Sequence, residues 1–232
     1  MSTIAIQVQD VSRIYQTNAG DVHALKSITF TIPRGSFIVL KGRSGSGKTT
    51  LLNCLGGLDT PTSGTIEIME NEISAMSDAQ RTKWRREHVG FVFQQMGLLP
   101  GFSCYENLDI MARLGNVPRR ERRSKIFDAL EQVGLIDYYE HRPYEMSGGQ
   151  QQRIAIARAL VTSPQLVLAD EPTSELDSET THEILALMAD IVRKRGMTIF
   201  MTSHDPIVDD YANSIIQLHD GSVESQEVRE KI

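Results

Sequence analysis

Residues 36–52 read SFIVLKGRSGSGKTTLL. An apolar run that predicts a strand leads into a glycine-rich loop and then a helix-forming segment. Gly42, Gly47, Lys48 and Thr49 fall on the G-x-x-x-x-G-K-[ST] spacing. Glycines in such a loop let main-chain N–H groups close around phosphate oxygens with no Cβ in the way. A helix N-terminus supplies only about half a positive charge, too little to balance a triphosphate. Lys48 is therefore expected to reach the β- and γ-phosphates and the Thr49 hydroxyl to hold Mg²⁺. The expected cradle is Gly42, Ser44, Gly45, Ser46, Gly47, Lys48, Thr49 and Thr50.

Outward from this loop the chain alternates strand and helix. Strands are predicted at 27–32, 36–42, 65–69, 89–94, 165–170, 197–203 and 214–219. Those beginning at Ser36, Gln165 and Met197 are nearly continuous in apolar character, as in a parallel sheet buried on both faces. TFTIP and TIEIM alternate instead, as in a half-exposed antiparallel sheet. Helices are predicted at 47–57, 104–114, 120–133, 148–162 and 178–195. The fold class is α/β: a parallel core sheet, an N-terminal antiparallel β-subdomain and a helical insertion over roughly 95–150. Residues 1–232 are expected to form one domain.

The run LVLADE places Asp170 and Glu171 at the end of a buried strand, the edge where open α/β sheets bind ligands. Asp170 is the expected Mg²⁺ holder, and Glu171 stands where it can polarise a water for attack on the γ-phosphate. Gln94, at the end of VGFVFQ, can offer its amide oxygen to the metal or the water. His204, just past MTIFMTS, can face the γ-phosphate. Gln94 or His204 alone would read as an ordinary polar residue at a strand end; four such residues at strand ends point to phosphoryl transfer from ATP.

A second segment, MSGGQQQRIAIARAL (146–160), also opens a helix with residues suited to phosphate. It resembles the signature motif of ATP-binding cassette (ABC) proteins, which usually begins with Leu where this chain has Met146. The surrounding motifs follow the order of that family. Tyr15 is similar to the aromatic residue that stacks on adenine, SELD (174–177) to the D-loop ending at Asp177, and His204 to the switch histidine. The resemblance implies an ATPase using ATP and Mg²⁺, with Glu171, His204 and Gln94 catalytic and with Thr49, Gln94 and Asp170 at the metal. It also implies that two cassettes pair head to tail, with Ser147, Gly148, Gly149 and Gln150 of one closing on nucleotide held by the other.

Net charge is −6 over 232 residues, an argument against a nucleic-acid partner. The basic clusters KWRRE (83–87) and RRERRSK (119–125) read as solvated helix faces. Cys54 and Cys104 are too few for a disulfide framework. With no apolar run near 20 residues and no signal-peptide pattern, the expected location is cytoplasmic, peripheral on the inner face of the cell membrane. A permease is then a separate chain, and the segment MGLLPGFSCYENL (96–108), with Leu98, Leu99, Phe102 and Tyr105, is expected to form its docking groove. Finer features resemble lipoprotein-releasing and macrolide-export ATPases, although Glu175 departs from the D-loop usual there. Signalling and cell-division modules of the same family, and soluble DNA- or ribosome-acting members, are the competing classes.

Overall fold

The computed structural model describes residues 3–18 and 20–229. Among these residues ten strands and six α-helices run in the order β1 (Ile4–Thr17), β2 (Gly20–Pro33), β3 (Phe37–Lys41), α1 (Lys48–Leu55), β4 (Ser63–Ile68), β5 (Asn71–Glu72), α2 (Asp78–His88), β6 (Val89–Val92), α3 (Cys104–Leu114), α4 (Arg119–Gln132), α5 (Gly148–Leu160), β7 (Leu166–Asp170), α6 (Ser178–Arg195), β8 (Thr198–Thr202), β9 (Ser214–His219) and β10 (Ser222–Val228). Two sheets form, ordered β2-β1-β4-β5 and β10-β9-β3-β8-β7-β6. The first is antiparallel. The second is parallel except for β10, which pairs antiparallel with β9.

The continuous apolar character of β3, β7 and β8 has a simple cause. Alternate residues of each strand enter different cores. Phe37, Val39, Val167, Ala169, Ile199 and Met201 face α5 and α6. Ile38, Leu40, Leu166, Leu168 and Phe200 face α1 and the first sheet. There Ile28, Phe30 and Ile32 of β2 point inward while their neighbours point to solvent, and the Phe30 and Phe200 rings stack with centroids 6.1 Å apart. The first sheet thus clamps α1, and with it the glycine loop, against the parallel sheet.

Helices α3 and α4 pack on α5 and belong to the same core as one face of the parallel sheet. Ser103 starts α3 with a reciprocal Ser103–Glu106 capping box. Asn107 is 2% exposed. It ties down the segment before the helix, accepting from the Leu99 N–H and donating to the carbonyls of Leu99, Phe102 and Ser103. From the other side, Arg158 on α5 donates to the carbonyls of Met96 and Gly97 at 2.6 and 2.5 Å.

Several elements differ from the sequence expectation, among them β5 and β10, neither of which was predicted. Helix α2 was not predicted, because only Trp84 among its residues is buried. β1 was not predicted either. Its pairing with β2 shifts register between Val8 and Val11 and again beyond, so its apolar spacing drifts. The strand expected at 89–94 ends at Val92, leaving Phe93 and Gln94 exposed.

Candidate active site

The C-terminal ends of β3, β7 and β8 open on a cleft of about 750 Å³. Its walls are Gly42, Ser44, Gly45, Gly47, Lys48, Thr49 and Thr50 from the loop and α1, Gln94 past β6, Asp170 and Glu171 from β7, His204 past β8, and Val22 to Ala24 from the first sheet. The strand register explains the convergence. β8 lies between β3 and β7, and Thr202 is level with both Leu40 and Asp170.

Backbone space dictates the glycines. A Cβ on Gly42 would stand 2.4 Å from the Leu218 carbonyl oxygen, and one on Gly47 2.5 Å from the Ala24 oxygen. Gly47 also has φ 102, a region side chains rarely adopt. Ser46 is turned inward and buried instead of lining the cleft.

The polar groups form one connected network. Thr49 Oγ1 donates to Asp170 Oδ2 at 3.1 Å. Thr202 Oγ1 donates to Asp170 Oδ1 at 2.6 Å and accepts from the Glu171 N–H at 2.9 Å. Glu171 Oε2 lies 2.7 Å from His204 Nδ1, and its Oε1 lies 3.5 Å from Lys48 Nζ. Lys48 also donates to the carbonyls of Gly42 and Arg43 at 2.9 and 3.3 Å. Its charge is therefore held at the loop's mouth, where phosphates would take over those contacts. Glu171 carries φ 43. A non-glycine residue there stores about 1–3 kcal/mol, and the Thr202 hydrogen bond is one contact that holds it.

Among the described residues no cluster of three or more His, Cys, Asp or Glu side chains converges as a metal site. The oxygen donors present are a hydroxyl and a carboxylate in contact, Thr49 and Asp170, with the Gln94 amide lining the same cleft. That sparse oxygen set fits Mg²⁺, which commonly takes one or two carboxylates and completes its shell with waters and substrate phosphates.

The remaining expected residues lie elsewhere. Ser147, Gly148, Gly149 and Gln150 do not line the cleft. Ser147 caps α5 in a reciprocal box with Gln150, and Ser147 and Gly148 are exposed. The two glycines differ. A Cβ on Gly149 would stand 2.5 Å from Thr180 Cγ2, whereas on Gly148 the nearest atom is 3.8 Å away. Gly149 thus serves packing against α6, and Gly148 leaves its surface clear. Asp177 caps α6, and both its carboxylate oxygens accept from Thr180. Met146 is buried, with its Sδ 3.3 Å from Cys104 Sγ. Tyr15 does not line the cleft but pairs across the sheet with Val22, which does, and its hydroxyl is 2.6 Å from Asp59 Oδ2.

These features find close counterparts. A family model described as ABC transporter matches residues 25–174. The chain belongs to the ABC transporter family. The "ABC transporter ATP-binding protein YtrE" of Bacillus subtilis is 43% identical over 87% of this cassette and 87% of its own length. The "Macrolide export ATP-binding/permease protein MacB" of Salmonella typhimurium is 39% identical over 95% of this cassette but only 34% of its own length. Among solved structures, a dimeric post-hydrolysis state of the ATP-binding cassette MJ0796 bound to ADP and Pi superposes with a TM-score of 0.87 at 36% identity, covering 98% of this cassette and 100% of that chain. This cassette is accordingly an ATP-binding, ATP-hydrolysing domain.

The segment expected to form the docking groove is divided between core and surface. Leu98 and Tyr105 pack against the helical core, and Leu99 and Phe102 stand exposed. An apolar groove nearby, about 440 Å³, is walled by Leu58, Val89, Phe91, Phe93, Met111 and Leu114, with Gly97 of this segment and Arg85, Arg86 and Arg158 also lining it. The side chains of 96–108 were read as one surface; Asn107 and Arg158 hold that segment's backbone so that its apolar residues split between core and solvent.

Proposed function

We propose that this cassette, acting as one unit over residues 1–232, dimerises around ATP and drives a separate integral-membrane permease from the inner face of the cell membrane. The observation that carries the reading is the separation of its two phosphate-binding elements. The cleft is lined by the glycine loop, Lys48, Asp170, Glu171 and His204, yet residues 147–150 do not line it, and α5 offers an exposed N-terminus with no acidic residue in its first turn. A helix N-terminus of that kind attracts anions, and a second copy can bring one. The dimeric MJ0796 cassette supports that arrangement.

In the proposed reaction Glu171 orients and deprotonates the attacking water, and His204 holds Glu171 and faces the γ-phosphate. Lys48 and the loop N–H groups bind the phosphates, and Tyr15 stacks on the adenine. Ser147, Gly148, Gly149 and Gln150 of the partner copy cap the γ-phosphate, with Asp177 at the junction. Thr49, Asp170 and Gln94 would hold Mg²⁺, which neutralises phosphate charge when bound. Catalysis is then mainly positioning and charge stabilisation. Loss of the γ-phosphate removes the bridge between copies.

The groove walled by Phe93, Met111 and Leu114 is the proposed seat for a permease segment. Among the described residues no helix is long and apolar enough to cross a membrane. The proposed work is export or extraction of antibiotic, peptide or lipoprotein substrates, and similarity to a macrolide-export protein supports the first of these.

The test is Glu171→Gln. With ATP it should bind nucleotide, fail to hydrolyse it, and double in mass by light scattering, while Glu171→Gln/Gly148→Asp stays single. A Glu171→Gln protein that turns over ATP normally, or binds ATP and remains single both free and with its permease, overturns the proposal.

A further inference from the structure

The proposed adenine contact at Tyr15 rests on one aromatic ring in β1, and the structure shows what holds that ring. Tyr15 pairs across the sheet with Val22. Directly opposed residues project to the same face, and Val22 lines the cleft. Asp59, four residues past the end of α1, accepts the Tyr15 hydroxyl at 2.6 Å. It also takes a two-pronged pairing from Arg13, Nε at 2.9 Å and a terminal nitrogen at 2.8 Å, and the Thr60 N–H at 2.7 Å. Arg13 in turn lies over the Tyr15 ring, 4.4 Å from its centroid. One ring face and the hydroxyl are thus both engaged.

We infer that Asp59 is a positioning residue for the nucleotide base: through Arg13 and the Tyr15 hydroxyl it fixes the ring as a preset stacking platform. The inference deepens the reading of Tyr15 as the adenine contact and rests on it. α1 begins at the phosphate loop, and Asp59 follows its C-terminal end. The same carboxylate therefore registers the base platform to the phosphate cradle. A preset platform binds more tightly because less side-chain freedom is lost on binding.

The test compares binding of ATP with binding of tripolyphosphate, which lacks a base, in the full chain. Tyr15→Ala should weaken ATP about tenfold, a loss in the range of base–aromatic stacking, and leave tripolyphosphate within about twofold. Asp59→Ala should show the same selective loss, about fivefold, and the double variant should be no worse than Tyr15→Ala alone, since the two act as one unit. Tyr15→Phe, which keeps the ring and loses the hydrogen bond to Asp59, should lose about threefold for ATP alone and does not depend on Asp59→Ala folding. If Tyr15→Ala leaves the ATP-to-tripolyphosphate ratio unchanged, the base contact itself falls and the inference with it. If Tyr15→Ala is selective but Asp59→Ala and Tyr15→Phe weaken both ligands equally or neither, only the role of Asp59 falls.

Discussion

The Thr202 hydroxyl donates to Asp170 at 2.6 Å and in the same stroke accepts the N–H of Glu171. One buried side chain on β8 thereby sets both carboxylates at the end of β7. Replacing it by Val keeps the shape and strips both partners. A buried donor and acceptor left unpaired cost about 1–3 kcal/mol. Thr202→Val should lose about that much in denaturant unfolding and reduce ATP turnover at least tenfold, more than its effect on ATP affinity. Unchanged turnover in a folded Thr202→Val protein would remove Thr202 from the site.

Gly148 and Gly149 should separate stability from activity. Gly149→Ala must push a Cβ against Thr180, whose hydroxyl is bound to Asp177. Overpacking of this kind costs about 1–3 kcal/mol, visible as a lowered melting temperature. Gly148→Ala has room and should melt within about 0.5 kcal/mol of the parent yet lose most of its ATPase activity. Equal behaviour of the two variants in both assays would contradict this division.

Both thiols are shielded. Burial pushes Cys54 up to about 12 and Cys104 up to about 11, against an ordinary value near 8.5. The native protein at pH 8 should therefore resist thiol reagents and release about two equivalents only when unfolded, with both cysteines free. The sign of the pH effect follows. The folded chain holds these protons after the unfolded chain has lost them, so stability falls as pH rises from about 8.5 toward the two raised values. Rapid native labelling of either cysteine would refute the shielding.

Asp59 acts in the opposite sense. Burial alone would raise its carboxyl, but hydrogen bonds from Tyr15, Arg13 and Thr60 outweigh that and hold it below the ordinary carboxylate range. Its contribution to stability is thus present above about pH 4 and lost as pH falls through its lowered value. Asp59→Asn should flatten the acid limb of the stability curve, measured by denaturant midpoints at successive pH values. A limb of unchanged slope would show that the group carries no such contribution.

How much could be read beforehand depended on what each residue had to do. β3, β7 and β8 announced themselves because burial on both faces forces unbroken apolar runs. The phosphate loop did so because its glycines answer to main-chain collisions that no other residue survives. Helix α2 was missing from the predicted helices because it buries a single large side chain; its local signs were the Ser77–Gln80 capping box, Asp78 in the first turn and Arg85, Arg86 and His88 in the last. Thr202 was hidden inside a strand whose apolar residues looked sufficient. The difference between Gly148 and Gly149 lies in α6, thirty residues away along the chain, and no local pattern encodes it. Asp59 sat in a turn-like GGLDTPTSG stretch whose partners, Arg13 and Tyr15, are more than forty residues distant.

Arg158 grasps main-chain oxygens of Met96 and Gly97, not side chains. A main-chain oxygen is present whatever residue occupies the position. The exposed side chains of Gln95 and Leu99 can therefore be exchanged to suit a different neighbour while the joint to α5 endures, so this is where retargeting by mutagenesis should begin.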